Sequence, residues 1–557
     1  MTNREVAQIL VRIADILGIK DENPFRIRAY RNAAEVIYRL EENINDLHRL
    51  DRIGDIPGIG KAIKASIKEM MDRGSCEYYD QLLNEVPEGV LQMLSIPGLG
   101  HKTVRVIYEN LGIKSLEELL KAARANEIQK LPGLGAKTEN NIIKGIEMLA
   151  QNAGQATLGI ASPAAERLKN YLLEVDAVSA VSVVGSLRRG KPLVNDIDIL
   201  VEARDFLAVY DHVNNYPGAI SVNRIQPDLI SGQLTYQIDF EIIMVEPEDF
   251  YPYLVWTTGG KEHREIIFEN IDIKNLRGMN NEEQVYEKLG YQYIPPELRE
   301  NTGEIEASRT GEMPFLIEKR HIKGDLHMHS PWSDGGTEIE ELREAAREMK
   351  YDYIAITDHS KSLTISGGLN EERLSAQGLV IDALNRQCQD FTIFKGIEVD
   401  ILKEGQLDFA DEVLASLDIV VASIHSYFNL DREEQTERIL RAIRNKYVNI
   451  IGHLTGRLLN RRPGYEVDID RILMAAHKHQ VALEINSHPD RLDIDAELAR
   501  RAREYGVKIA INSDAHHKQD LELIKYGIIN GRRGWLGPDD IINTWDKDRL
   551  LQFLNKK

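Results

Sequence analysis

Nine residues in the last third of the chain are of types that hold metal ions: His327, His329, Asp334, His359, Glu398, His425, His453, Asp514 and His516. Each closes or directly follows an apolar run, in GDLHMHS, YDYIAITDHS, FTIFKGIEVD, LDIVVASIHS, VNIIGH and VKIAINSDAH. Imidazoles and carboxylates converging from strand ends suit divalent ions such as Mn²⁺ or Zn²⁺, and their number points to a multinuclear site. A second candidate lies upstream, where Asp196 and Asp198 stand two residues apart in NDIDILV. On a strand this spacing projects both carboxylates from one face while Ile197 and Ile199 turn inward. Paired carboxylates of this kind can hold two cations for phosphoryl transfer. A third pattern repeats three times: IPGIGK at Ile56–Lys61, IPGLGHK at Ile96–Lys102 and LPGLGAK at Leu131–Lys137. Its glycine pairs, Gly58 and Gly60, Gly98 and Gly100, Gly133 and Gly135, make tight turns that leave backbone N–H groups pointing outward at a helix start. A phosphate can accept those groups, and Lys61, Lys102 and Lys137 add charge.

The metal-type residues need a scaffold that brings strand ends together. The apolar runs read as buried parallel strands, and amphipathic stretches such as Glu338–Met349 and Ile469–His479 read as the helices between them. That alternation predicts a barrel with its site at the C-terminal ends of the strands. His477, His479, His488 and His517 fall outside the pattern and read as helix-surface or loop residues, with His517 a candidate for a supporting role. Arg457, Arg461 and Arg462 read as a solvated loop after His453, with phosphate binding as the alternative. The hairpin repeats are each followed by a helical pattern, so the first 150 residues read as all-helical.

The motifs HMHSPWSDG, TDHS, GIEVD, SIHS, GH and SDAH resemble those of the polymerase and histidinol phosphatase (PHP) superfamily over roughly 321–557. The resemblance implies a distorted seven-stranded barrel, up to three bound ions (Mn²⁺ and/or Zn²⁺) and phosphoester hydrolysis. The three glycine turns resemble the helix-hairpin-helix DNA-binding motif. NPFRIRAYRNAAEVI is similar to the segment of family X DNA polymerases that grips the 5′-phosphate at a gap, with Arg26 and Tyr30 at the matching positions. VVGSLRRGKPLVNDIDILV resembles the palm of the same family. From that resemblance Asp196, Asp198 and Asp239 are the metal-binding carboxylates for Mg²⁺ or Mn²⁺, and Gly185, Ser186 and Arg189 contact the nucleotide triphosphate. Essentially the whole chain is thus similar to bacterial and archaeal family X polymerases with a C-terminal PHP domain. The implied fold is multidomain: helical DNA-binding modules, an α+β palm with thumb, and an α/β (βα)7 barrel. The divisions fall at 1–80, 81–154 (helix-hairpin-helix fingers), 155–245 (palm), 246–314 (thumb), 315–322 (linker) and 323–557. GYQYIPPELRENTGEIEASRTGEMPFLIEKRHIKGD, with paired prolines and little periodicity, reads as an ordered-to-flexible connection.

Several positions depart from the family pattern. Glu241 stands where an arginine is usual, adding a fourth carboxylate to the face of Asp239. Arg264 replaces a minor-groove asparagine, and Phe268 replaces an arginine. Ser66 occupies the position of the Schiff-base lysine of lyase-active relatives, with Lys64 and Lys68 nearby. The expected function is gap-filling DNA polymerisation joined to metal-dependent 3′–5′ exonuclease action in repair. One alternative is a PHP phosphoesterase, acting as exonuclease or abasic-site endonuclease, with a degenerate polymerase site. Another is a non-enzymatic gap-binding scaffold.

Length and composition bound these readings. A chain of 557 residues predicts three or four domains. Its net charge of −20 argues against a simple nucleic-acid binder. The acidity, however, lies almost wholly beyond residue 150. Cys76 and Cys388 are the only cysteines, so no disulfide framework is expected, and no apolar run or leader suggests a membrane. A cytoplasmic, nucleoid-associated monomer acting on DNA and dNTPs is the expectation.

Overall fold

Amphipathic helices, from Asn3–Ile19 to Ala136–Gln151, build the first 150 residues. Leu10, Ile13 and Leu17 on the first helix pack with Ala33 and Ile37 of Pro24–Tyr38, all fully buried. The computed structural model describes every residue except 2, 39, 41, 97, 152–153, 235–237 and 556–557. Pro97 of the second glycine turn and residues 235–237 of the LTYQIDF run therefore lie outside the described residues. Met1–Ala153 with Asn460–Pro463 form one unit, and Gly154–Leu459 with Gly464–Lys557 form another.

In the second unit a five-stranded sheet comes first in sequence. Its strands are β1 (Val178–Val183), β2 (Asp196–Ala203), β3 (Ala219–Gln226), β4 (Leu229–Leu234) and β5 (Ile238–Val245), ordered β1-β2-β5-β4-β3. Burial alternates along β2 and β5 as period two requires, with Ile197, Ile199, Phe240 and Ile242 inside. β2 and β5 are parallel, so Asp196 neighbours Asp239 and Asp198 neighbours Glu241.

Seven parallel strands follow: β6 (Gly324–Asp325), β7 (Tyr353–Ile356), β8 (Thr392–Asp400), β9 (Ile419–Ser423), β10 (Ile450–Ile451), β11 (Ala482–Asn486) and β12 (Ile509–Asn512). Each pairs with the next. A parallel bridge between Met328 and Ala515 joins the segments after β6 and β12, leaving the ring nearly closed. Buried on both faces, these strands are continuously apolar rather than alternating. Several crossover helices start at an Asn or Asp whose side chain accepts an N–H three residues on: Asn370, Asp431, Asp468 and Asp495. Each such cap is worth about 1 kcal/mol. Tyr353 and Phe394 fill the barrel interior with Trp545 from the C-terminal segment, so the far end is plugged by side chains.

The segment read as an ordered-to-flexible connection is tied into the fold by buried charges. Arg299 is fully buried, with Nη1 on Glu282 Oε1 at 2.7 Å and Nε on the Ile294 carbonyl at 2.8 Å. Glu304 is also buried and pairs with His263 Nδ1 at 2.7 Å. Ile317, inside the supposed linker, is fully buried and donates its N–H to the Leu536 carbonyl. Arg299 meets an opposite charge in Glu282, while Glu304 is held by the His263 ring and the Asn301 and Thr302 N–H groups. Among the described residues no helix is long and apolar enough to cross a membrane.

Candidate metal centre and nucleic-acid surfaces

Glu398, near the end of β8, lies among five imidazoles. Its Oε1 is 3.0 Å from His453 Nε2, 3.3 Å from His425 Nε2 and 3.5 Å from His327 Nε2. Its Oε2 is 2.7 Å from His359 Nδ1 and 3.7 Å from His329 Nε2. Asp514 Oδ1 lies 3.0 Å from His329 Nε2 and 3.7 Å from His327 Nε2. Asp334 lies 3.4 Å from His516 Nε2 and 3.5 Å from His359 Nε2. Among the described residues, potential ligand atoms gather within 4.8 Å of one another in three groups: His329, Asp334, His359 and His516; His327, His329 and Asp514; His359, Glu398 and His425. The groups overlap through His329 and His359, a layout for adjacent ions rather than for isolated ones.

The donor set fits divalent cations. His327 Nε2 and His329 Nδ1 are buried with no hydrogen-bond partner, and buried polar atoms are rarely left so unless an ion or water completes them. The His329 ring stacks on those of His359 and His516 with centroids 4.3 Å apart, so charge on either neighbour disfavours charge on His329. Burial and these two neighbours drive His329 down to about 3. Burial would also lower His359, His425 and His516, but Glu398 and its own side-chain partner Asp334 outweigh it for His359, pushing it up to about 10. Glu398 and Asp400 take His425 to about 9, and Asp334 and Asp514 take His516 to about 9. Without cations the site therefore collects protons; a metal would replace them.

Outer groups fix the rings. His327 Nδ1 pairs with Glu484 Oε1 at 2.7 Å, and the same carboxylate accepts Asn512 Nδ2 and the His453 backbone N–H. His425 Nδ1 pairs with Asp400 Oδ1 at 2.6 Å, and His516 Nδ1 donates to the Asp514 carbonyl at 2.9 Å. Each leaves Nε2 facing inward, as metal-ligating histidines require. Asp358, fully buried, accepts Ser330, Ser333 and Gln377 and so anchors the loop carrying His329 and Asp334. His453 and Asp514 adopt left-handed backbone, φ 25° and 55°, strain of a kind concentrated at functional sites. Glu484, Asp400 and Asp358 were missed in the sequence; Asp400 and Glu484 lie on the strands that feed the mouth, the one available signal. Arg457 is occupied structurally, donating to the Arg491 and Leu492 carbonyls and pairing with Asp495 at 3.2 Å.

The palm carboxylates share a face but are more open. Asp239 and Glu241 are exposed, and Gln233 Nε2 donates to Asp239 Oδ1 at 3.0 Å. Burial, Asp196 and Glu241 push Asp198 up to about 7, although Arg189 and Arg264 oppose the shift. Burial and Asp239 raise Asp196. Such mutual repulsion is what a divalent cation would relieve, so this donor set also fits. A Cβ on Gly185 would fall 1.8 Å from Asp198 Oδ2, and its φ is 62°, so the turn beside the carboxylates needs glycine. Ser186 follows it, half-buried. Arg189 is not poised toward solvent: it is buried, with Nε on Glu300 Oε1 at 2.9 Å and Nη1 on the Thr258 carbonyl at 2.8 Å. Arg264 stacks over Trp256 at 5.3 Å, and Phe268 is buried against the same ring at 5.1 Å, so Phe268 serves the thumb core.

In the helical unit Gly58, Gly98 and Gly133 have φ of 74°, 82° and 75° and are exposed, while Ile56, Ile59, Ile96 and Leu99 are buried beneath the first two turns. Gly60 and Gly100 cap the helices Lys61–Arg73 and His101–Leu111 without side-chain caps, leaving the first N–H groups open. Gly135 precedes Ala136–Gln151, and Lys61, Lys102 and Lys137 are exposed. Arg26 is exposed over the Tyr78 ring at 5.1 Å, whereas Tyr30 is buried and stacked on Tyr78 at 6.1 Å. Ser66 donates to the Ala62 carbonyl, while Lys64 and Lys68 are turned to Gly54 and Asp51.

Family comparisons agree with this layout. Residues 1–76 match the helix-hairpin-helix domain, 90–148 the SAM-like helix-hairpin-helix tandem, and 325–488 the PHP domain. Helix-hairpin-helix modules joined through an α+β sheet to a PHP barrel define a DNA-binding enzyme of the metal-dependent phosphoester class. A DNA polymerase/3′-5′ exonuclease PolX of Bacillus subtilis (strain 168) is 36% identical over 573 residues, covering 100% of each chain. The chain belongs to the PolX family. Partial relatives include a probable phosphatase of Caldanaerobacter subterraneus subsp. tengcongensis, 31% identical over 250 residues, 42% of this chain and 91% of that protein. Another, from Thermoanaerobacter sp. (strain X514), is 34% identical over 187 residues, 32% of this chain and 74% of its own.

Proposed function

We propose that this protein fills short DNA gaps in its palm and trims 3′ ends in its barrel, as a DNA polymerase and 3′–5′ exonuclease of repair. What supports the reading above all is that a PolX relative aligns end to end with a chain carrying both carboxylate sites and the hairpins. Gly58, Gly60 and Lys61, and their counterparts at Gly98, Gly100, Lys102, Gly133, Gly135 and Lys137, hold the duplex backbone, and Arg26 meets a 5′-phosphate at the gap. Asp196, Asp198 and Asp239 would hold Mg²⁺ or Mn²⁺ in the palm. His327, His329, Asp334, His359, Glu398, His425, His453, Asp514 and His516 would hold Mn²⁺ and/or Zn²⁺, up to three ions, in the barrel. Bound ions would activate water or the primer 3′-hydroxyl and neutralise charge on phosphorus. The chain's own part is orientation: Glu484 and Asp400 keep His327 and His425 with Nε2 inward, and Gly185 lets the 185–188 turn approach Asp198. Ser186 and Arg189 would meet the triphosphate, Arg189 after exchanging Glu300 for phosphate.

The test uses purified full-length protein with Mn²⁺ on a labelled, gapped duplex bearing a 5′-phosphate, with and without dNTPs. Lengthening of the primer with dNTPs and shortening without them is expected. Shortening alone would favour a phosphoesterase with a degenerate palm, the reading to which Glu241 lends weight.

A further inference from the structure

We propose that Tyr427 is a stacking platform for the 3′-terminal base of a DNA strand entering the barrel, an inference that rests on the 3′-trimming activity proposed above. Tyr427 follows the metal-type residue His425 by two positions, so the two Cα atoms are at most about 7 Å apart. It belongs to the loop after β9, at the strand end where the ligands converge. Tyr427 is 52% exposed. Its backbone is left-handed at φ 55°, a conformation that a bulky residue adopts only under constraint. The constraint is visible: Arg438 is buried, donates from Nη1 to the Ser426 carbonyl at 2.9 Å, and lies 5.9 Å from the Tyr427 ring. Lys403 Nζ lies 6.0 Å from the same ring. The ring is thus held out by buried structure.

Two other loops that follow barrel strands carry apolar groups as well. Ile365, 93% exposed, belongs to the segment after β7 that carries His359. Trp332 stands between His329 and Asp334 in the loop after β6 and is partly buried against the barrel core. Apolar groups therefore accompany ligand-bearing segments after three of the seven strands, β6, β7 and β9. Phosphate and metal chemistry needs none of them; a nucleotide base does, because every base has a π-face and stacks regardless of sequence. Lys403, exposed beside the ring, matches an adjoining phosphate, while Arg438 stays bound to the carbonyls beneath. The barrel then grips the terminal base as well as the scissile phosphodiester.

The experiment compares full-length protein with Tyr427→Gly, which keeps the left-handed backbone free of strain, and with Tyr427→Phe, which keeps the ring. Substrates are a single-stranded oligonucleotide with a normal 3′-terminal base and the same oligonucleotide ending in an abasic nucleotide, both with Mn²⁺. The parent should prefer the normal end, and Tyr427→Gly should raise its KM for that end about tenfold and erase the preference. Tyr427→Phe should restore both, and turnover of the abasic end should be unchanged throughout. A parent with no preference, a Tyr427→Gly protein that keeps it, or equal loss on the abasic end would each overturn the proposal. Failure of the parent to shorten either oligonucleotide would instead overturn the trimming activity on which it rests.

Discussion

The barrel and the palm are both carboxylate-bearing sites, but they are built to opposite plans. In the barrel, ligands from strand ends already lie within 4.8 Å of one another, and their rings are fixed by Glu484, Asp400 and the Asp514 carbonyl. In the palm, Asp196 and Asp239 are neighbours in register, yet Asp239 and Glu241 stay exposed and Arg189 is tied to Glu300. The barrel has invested its burial in a site that fits ions; the palm keeps its carboxylates open and its arginine paired. Preorganisation of the first kind tolerates little change, whereas the second depends on few groups but on every one of them.

The sharpest break between the regions is complete separation of activities. His327→Ala with His329→Ala should reduce 3′ trimming to background while gap filling persists; Asp196→Ala with Asp198→Ala should do the reverse. Both are read on the gapped duplex, and joint loss in either variant would sink the two-site assignment. Next in size, Glu484→Gln should weaken barrel metal affinity or trimming by about 10–100-fold without touching gap filling, because it loosens the ring of His327. Titration of chelated protein with Mn²⁺ checks this, and an unchanged affinity would remove Glu484 from the site.

A smaller effect separates the barrel with and without ions. His359, His425 and His516 carry folded values of about 10, 9 and 9 against an ordinary 6.5. Their protonation stabilises the metal-free barrel fully below about pH 6.5, and that contribution is lost as pH rises towards 9 and 10. His329, lowered to about 3, works the other way, costing stability as pH falls from 6.5 towards 3. Mn²⁺ binds deprotonated rings and gains affinity over the upper interval. The Tm gap between Mn²⁺-loaded and chelated protein should therefore widen from pH 6.5 to 9 in calorimetry. A gap that narrows would show that the rings are not the ligands.

Much of the barrel was legible because its strands are continuously apolar and end on ligand-type residues. The glycine turns were legible for a similar reason, since tight turns need glycine wherever they occur. What the sequence hid was partnership. Arg299 and Glu304 looked like charges on a loose connection, because nothing local marks a charge whose partner, Glu282 or His263, comes from another helix. Tyr30 looked available on its basic helix until Tyr78 was seen to cover it. Asp400 and Glu484 likewise read as ordinary strand residues until the fold placed them behind His425 and His327.

The Glu300 carboxylate bears on how this chain can be dissected. Its oxygens serve Arg189 and Lys191 of the palm and, at 3.3 Å, Arg533 of the barrel helix Ile524–Arg533. Arg533 also donates to the Arg189 carbonyl at 2.8 Å. A fragment ending before the barrel would retain every palm carboxylate yet lose the cation that shares Glu300, leaving that acid to bind Arg189 more tightly. Weak synthesis by such a fragment would then report a missing arginine rather than a missing nuclease. The boundary between two catalytic regions passes through one shared charge, and point variants on either side of it are cleaner instruments than truncation.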